Sequence, residues 1–399
     1  MVSRRFRRVS ALGAVALGAG ALAARVRKAR ALQSVAVLAG AALAVAACGS
    51  SGTATGTSPS GAPGSLASAR PTTTVPALTV ASITPAPAAT AVAFTTPVTV
   101  SFSSAVAPAS PTPAISPAVP GSWAQSGSTM TFTPSGGWAP YARMTVTVPA
   151  GIRSRQGGAL AAPVSATWST GAPSMLRLQQ VLASLGYLPL SFTPTAASSA
   201  GSTVALPGAD QQGSFAWASP NVPATLAAQW TEGQANGITR GAVMAFEADH
   251  HLAIDGLAGP EVWAALANAV TGHQVDPRPY DYIAVTQTSP ETLSVWQGGK
   301  IIYTSLANTG VPGATTATGT FPVYERFVTT TMRGTNPDGT KYVDPGIPWV
   351  AYFNGGDAIH GFVRAGYGYP QSDGCVELPP DHAQVMYPLD YYGTLVTVS

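Results

Sequence analysis

Three kinds of hydrophobic spacing succeed one another along the chain. Between residues 76 and 170, apolar side chains alternate with polar ones in short runs, at Pro97–Phe102, Met130–Phe132 and Met144–Val148. Pro, Gly and Ser clusters separate these runs, and period-two strands between turn signals predict a β-sandwich. From 174 to 270 the spacing becomes helical. Leu176, Leu178, Val181, Leu182 and Leu185 form one set, stopped by Gly186-Tyr187, and Ala242, Val243, Phe246 and Leu252 form another. Asp255-Gly256 then reads as a turn before a helix that opens near Pro260. Residues 189–237 form an insertion rich in Ala, Ser, Gly and Pro, in which Phe215-Ala216-Trp217 predicts a strand. From 281 to 399 the pattern is extended again. Strands are expected at 282–286, 292–296, 301–303 and 394–398, with Gln297–Lys300 closing a hairpin. One short helix fits Pro380–Tyr387, with Asp381 near its cap. That is too little helix for a doubly wound sheet, so the expected fold is multidomain and mostly β.

The segment upstream of the first strands changes the reading of charge. The chain carries 20 Lys and Arg against 17 Asp and Glu, a formal +3. Eight of the basic residues lie within 1–47, where there is no acidic one; the remaining 12 face all 17 acids, a formal −5. A segment of that sign has no electrostatic reason to bind nucleic acid. Ala31–Ala47 is apolar apart from Gln33 and Ser34, follows the basic run Arg25–Arg30 and ends in small residues, as a secretory signal does. A membrane helix is the alternative, although 17 residues is at the short limit for spanning. A second apolar run, Ala11–Ala24, either extends the signal or precedes the true start. Val45–Cys48 resembles a lipobox, which implies lipidation of Cys48. Residues 49–75 hold almost no large apolar group, so 48–75 is expected to be a lipidated flexible linker. Together these predict an exported protein, lipid-anchored to the outer face of the cytoplasmic membrane and facing the cell wall.

There are two cysteines. If Cys48 carries lipid, Cys375 is an unpaired thiol in an exported protein, which points to reactivity. The alternative, a disulfide between them, would tie the membrane end of the linker to the far end of the chain. A nucleophilic thiol needs a base, and His360 lies fifteen residues upstream, a spacing that suits two adjacent strand ends joined by a loop. Gly374 permits a tight turn at the nucleophile, and the N–H groups of Gly374 and Cys375 are candidates to face a developing oxyanion. His382 reads as a surface or capping residue. His250 and His251 lack further ligands at useful spacing, so no metal is expected.

Three stretches resemble known families. Ser82–Pro85, Phe132–Pro134 and Thr145–Gly151 fall in a region, 76–170, that resembles a bacterial Ig-like domain, which implies a spacer or adhesive role. Leu178–Leu188 and Gly241–Leu266 give 174–270 the look of the peptidoglycan-binding domain of wall hydrolases, interrupted by the insertion. That implies contact with glycan, against the alternative of packing on the last domain. His360-Gly361 and Ser372-Asp373-Gly374-Cys375-Val376-Glu377, with their flanks, give 281–399 a resemblance to the L,D-transpeptidases of the YkuD family. The resemblance implies that His360 is the base, that the Gly361 carbonyl orients it, that Cys375 is the nucleophile and that Ser372 is the serine preceding the motif. Asp373 stands where the family has a second histidine, and Glu377 where it has Asn or Arg. An anion at 373 either raises the thiol pKa or hydrogen-bonds an imidazolium. Tyr342, in a loop that covers the cleft in relatives, is a candidate substrate contact, as are Ser372 and Asp373. Arg364 and Tyr367 would bind a stem-peptide carboxylate or order the loop between base and nucleophile. The implied reaction is cross-linking of peptidoglycan stem peptides with release of D-alanine, without a cofactor and open to carbapenem acylation. A carboxypeptidase of the same fold and an inactive wall-binding lipoprotein are the alternatives.

Overall fold

The computed structural model describes residues 75–195 and 208–399. The expected signal at 1–47, Cys48 and all but the end of the linker lie outside the described residues. Among those described, no helix is long and apolar enough to cross a membrane.

The alternating runs of the first region become seven strands: β1 (Val80–Thr84), β2 (Val98–Phe102), β3 (Ala114–Ser116), β4 (Gly121–Ser126), β5 (Thr129–Pro134), β6 (Arg143–Val148) and β7 (Val164–Ser169). They form two sheets, ordered β1-β2-β5-β4 and β3-β6-β7. Val98, Val100, Phe132, Met144, Val146 and Val148 face inward around Trp138 and Trp168, the period-two pattern seen in the sequence. β1, β3 and β4 carry short or polar sequences, and their alternation is too weak to reveal them.

The helical region contains α1 (Met175–Ser184), β8 (Leu190–Pro194), β9 (Gly213–Trp217), α2 (Ala224–Ala227), α3 (Gly237–Asp249) and α4 (Pro260–Gly272). Ser174 and Asn236 cap α1 and α3 by accepting the N–H of Arg177 and Thr239, and Pro260 opens α4 where its missing N–H costs nothing. Within the insertion β9 pairs antiparallel with β8, Phe215 opposite Phe192. Leu178, Leu182, Ile238, Phe246, Trp263 and Leu266 share one core with Tyr282, Trp296 and Leu395 of the following domain. A side chain at Gly241 would meet the Gly393 carbonyl at 2.3 Å, so glycine lets α3 lie directly against that backbone. The helical region therefore packs directly on the last domain.

The last domain has two sheets. One, ordered β12-β11-β10-β18-β13, comprises β10 (Asp281–Thr286), β11 (Thr292–Gln297), β12 (Lys300–Leu306), β13 (Gly319–Pro322) and β18 (Leu395–Val398). The other, ordered β14-β15-β16-β17, comprises β14 (Glu325–Thr335), β15 (Lys341–Asn354), β16 (Asp357–Gly361) and β17 (Val376–Leu378). Ile283, Val285, Leu293, Val295 and Val396 of the first sheet pack against Phe353, Ile359, Val376 and Leu378 of the second. α5 (Pro380–Met386) closes the core with Ala383 and Met386. The expected β10–β11–β12 meander, its Gln297–Lys300 turn and α5 are all present. The sequence reading missed the long β14–β15 hairpin. Pro345, Gly346 and Pro348 interrupt its second strand and the pairing slips between Thr330 and Met332, so no run keeps a clean period of two.

Candidate active site

β16 and β17 run parallel, with Ile359 opposite Val376 and His360 opposite Glu377. Strand alternation sends Ile359, Val376 and Leu378 into the core between the sheets. It puts Ala358, His360 and Glu377, with Cys375 just before β17, on the other face. There, Ala358 and Cys375 join Met332, Ile347 and Val350, flanked by Phe327, Tyr342, Tyr352 and Phe362. His360 and Cys375 are thus diagonal neighbours on one face, separated along the chain by the loop 362–374.

His360 is buried, and its Nδ1 lies 3.1 Å from the Gly361 carbonyl oxygen. With the proton on Nδ1 it donates to that oxygen, and Nε2 keeps its lone pair. Glycine at 361 suits the close packing here: a Cβ would stand 3.0 Å from Pro380 Cα and 3.1 Å from Pro348 Cγ. Burial lowers the proton affinity of His360 below the ordinary range, while the Gly361 carbonyl and Glu377 act in the opposite direction.

Cys375 is a free, half-buried thiol whose Sγ donates to the Gly356 carbonyl at 3.6 Å. Burial pushes the thiol up to about 12; the Ala358 N–H opposes this, and Asp357, Glu377 and Asp373 add to it. Burial thus favours the uncharged form of both the thiol and the imidazole.

The nucleophile sits on a turn held by Ser372. Its hydroxyl donates to the Cys375 carbonyl at 2.6 Å and accepts the Gly374 N–H at 3.2 Å. Gly374 has φ 115°, and a Cβ on it would meet Asp357 Oδ1 at 2.7 Å. Two expectations change here. Ser372 is only 2% exposed and braces the turn instead of facing a substrate. The Gly374 N–H is already engaged by that hydroxyl, so of the two oxyanion candidates only the Cys375 N–H has no acceptor among the described residues.

The loop residues are also reassigned. Arg364 donates from Nε and Nη2 to the two carboxylate oxygens of Glu377 at 2.7 and 2.6 Å, and from Nη2 to the Gln371 carbonyl at 3.0 Å. The Tyr367 hydroxyl donates to the Phe362 carbonyl at 2.6 Å and accepts the Arg364 N–H at 3.2 Å. Both side chains order the loop. Asp373 is exposed and makes no hydrogen bond among the described residues, so the reading in which it holds an imidazolium is not realised. Tyr342 lies on β15 and not in a loop. Its ring covers Gly334, and its phenol is raised by burial first, then by the neighbouring Cys375 and Asp373. It remains beside the thiol.

Two acids escaped the sequence reading. Asp344, two residues beyond Tyr342 on the same strand face, acts on His360 electrostatically. Asp357 accepts from Asn354 Nδ2 at 3.1 Å and from the Ala317 N–H at 3.2 Å, beneath the nucleophile turn. The Asn354-Gly355-Gly356-Asp357 turn was the signal that would have located it. His382 lies elsewhere, its Nδ1 2.7 Å from Ser305 Oγ, and His250 stacks on Phe246. No group of residues suited to holding a metal occurs among the described residues.

Residues 280–398 match the YkuD family, described as the L,D-transpeptidase catalytic domain, and residues 73–170 match the family Big_5, a bacterial Ig-like domain. No curated protein matches the chain. Among solved structures, an L,D-transpeptidase from Mycobacterium smegmatis is similar at 15% identity over 82% of this chain and 100% of that one, with a TM-score of 0.28. L,D-transpeptidase 3 from Mycobacterium tuberculosis is similar at 12% identity over 80% and 98%, with a TM-score of 0.28. The catalytic domain of the E. faecium L,D-transpeptidase is similar at 26% identity over 31% and 100%, with a TM-score of 0.28. The chain thus carries a bacterial Ig-like domain at 73–170 and an L,D-transpeptidase catalytic domain at 280–398.

Proposed function

We propose that this protein is an L,D-transpeptidase that cross-links peptidoglycan stem peptides by cysteine acyl transfer. The observation that carries the reading is the bond from His360 Nδ1 to the Gly361 carbonyl. It fixes the tautomer that leaves Nε2 as a base on the strand face shared with Cys375.

The thiol proton passes to His360 as sulfur attacks. For this the Cys375 side chain turns from the Gly356 carbonyl toward the imidazole. Sulfur bonds to the carbonyl carbon of the third stem residue, and the Cys375 N–H supports the oxyanion. The bond to D-alanine then breaks, His360 returns the proton to the leaving amine, and a thioester remains. A side-chain amine of a second stem attacks the thioester, and the thiol is regenerated. The residues need no cofactor for these steps. Tyr342 and the exposed Asp373 are the side chains best placed to meet the stem peptides.

The rest of the chain is read as the means of delivery. A signal at 1–47 directs export, lipid on Cys48 anchors the protein to the outer face of the cytoplasmic membrane, and 48–75 tethers it. The Ig-like domain at 76–170 spaces the catalytic domain from the membrane. The helical region at 174–270 supports the catalytic domain and contacts glycan.

Purified stem tetrapeptide tests the reaction. The protein is expected to release D-alanine and form dimers, and Cys375→Ala to do neither. Release of D-alanine without dimers would make it a carboxypeptidase, and no release from folded protein would leave a wall-binding module.

A further inference from the structure

The arginine of this site comes from the loop between the base and the nucleophile, and its partner Glu377 lies on β17. Arg364 reaches Glu377 with two parallel hydrogen bonds, the strong planar form of this pair. Glu377 is 5% exposed and Arg364 30%, so the pair is largely withdrawn from water. Its position matters as much as its strength. Glu377 is the register partner of His360 on the adjacent strand, and Arg364 follows three residues after Gly361, whose carbonyl holds the imidazole. Arg364 also holds the Gln371 carbonyl, next to Ser372 of the nucleophile turn. One guanidinium therefore ties together the strand bearing the base, the turn bearing the nucleophile and the strand after it.

We propose that Arg364 and Glu377 form an internal charge couple that positions the base and the nucleophile turn, in place of a receptor for a substrate carboxylate. The proposal rests on the acyl-transfer reading of Cys375 and His360. Both members are positioning residues, since neither is placed to touch the reacting atoms. Glu377 on the neighbouring strand favours the protonated imidazole, and Arg364 disfavours it. Of the other titratable groups, Asp373 and the Tyr367 phenol act on Arg364, Asp344 on β15 favours protonation of His360, and Asp357 and Asp373 act on the thiol. Each half of the couple thus masks the other's effect on the base.

The test is the pH dependence of acylation of the whole protein by a carbapenem, for wild type, Arg364→Met, Glu377→Gln and the double variant. Neutral His360 is the active form, so its titration appears as the acidic limb of the profile. Losing Arg364 leaves an unopposed anion, and the limb moves to higher pH. Losing Glu377 leaves an unopposed cation, and the limb moves to lower pH. The double variant returns the limb toward wild type, and it also guards against misfolding of the single variants, because it leaves no unpaired buried charge. Each single variant is expected to lose about tenfold or more in acylation rate as the loop loosens. Limbs that do not move, or that move the same way in both single variants, would overturn the proposal. So would an Arg364→Met protein that only weakens binding of the carboxylate-bearing reagent. Absence of any adduct on wild type would instead strike the acyl-transfer reading itself.

Discussion

At the scale of single residues, the site is governed by how little room surrounds the nucleophile. Gly374 combines φ 115° with an Asp357 oxygen where its Cβ would go. Gly374→Ala is therefore expected to cost about 1–3 kcal/mol of backbone strain, seen as a lower melting temperature, and to slow acylation sharply. The thiol leads to a second expectation. Since burial and then three carboxylates hold it near 12, alkylation of Cys375 by iodoacetamide should be slow at pH 7 and still be rising above pH 9. Asp373→Asn removes one of those anions and lowers the thiol pKa, so it should quicken alkylation several-fold at pH 8. An unchanged rate would mean that Asp373 does not act on the thiol. That His360, Gly361 and Cys375 would come together was legible in the sequence, because short motifs carry them. The work of Ser372, Arg364 and Tyr367 was not, because a residue list cannot tell a side chain that meets a ligand from one that holds its own backbone.

At the scale of elements, the β14–β15 hairpin decides the shape of the site and was the least legible part of the fold. Its prolines and glycine mask a strand of 14 residues, in which Trp349 takes a left-handed conformation, φ 57°. The inward face of that strand carries Tyr342, with its ring against Gly334 and beside the thiol. Tyr342→Ala should slow acylation by stem peptide about tenfold while leaving the alkylation rate of Cys375 within about twofold of wild type, since it removes a wall of the cleft and not the thiol's proton acceptor. Equal loss in both reactions would mean that Tyr342 supports the nucleophile instead. The β10–β11–β12 meander, by contrast, shows period-two runs and a Gly-Gly turn, and its strands fall where the pattern puts them.

At the scale of the whole molecule, the helical region is bound to the catalytic domain by charge as well as by a common core. Arg278 pairs with Asp249 at the end of α3 and with Asp276, and its guanidinium lies 3.8 Å over the ring of Tyr391. The hydroxyls of Tyr187 and Tyr391 donate to the same Asp249 carboxylate. Arg278→Ala leaves that carboxylate half-buried without its cation and is expected to destabilise the protein by about 2–4 kcal/mol. The wild-type C-terminal half is expected to unfold in one calorimetric transition that broadens or splits in Arg278→Ala; an unchanged transition would mean that the shared core alone couples the two regions. The sequence showed the helical spacing of α1 and α3 and the opening of α4 at Pro260. It left open what they pack against, because an apolar helical stripe specifies burial without naming the partner.

The central claim is that Cys375 is an acylating nucleophile served by His360. Intact mass after incubation with a carbapenem tests it most directly. The account predicts one adduct on the wild-type protein, located at Cys375 by peptide mapping, none on Cys375→Ala, and a rate lowered by about a hundredfold or more in His360→Ala. Folded wild-type protein with no adduct, or an adduct that forms equally fast without His360, would contradict it.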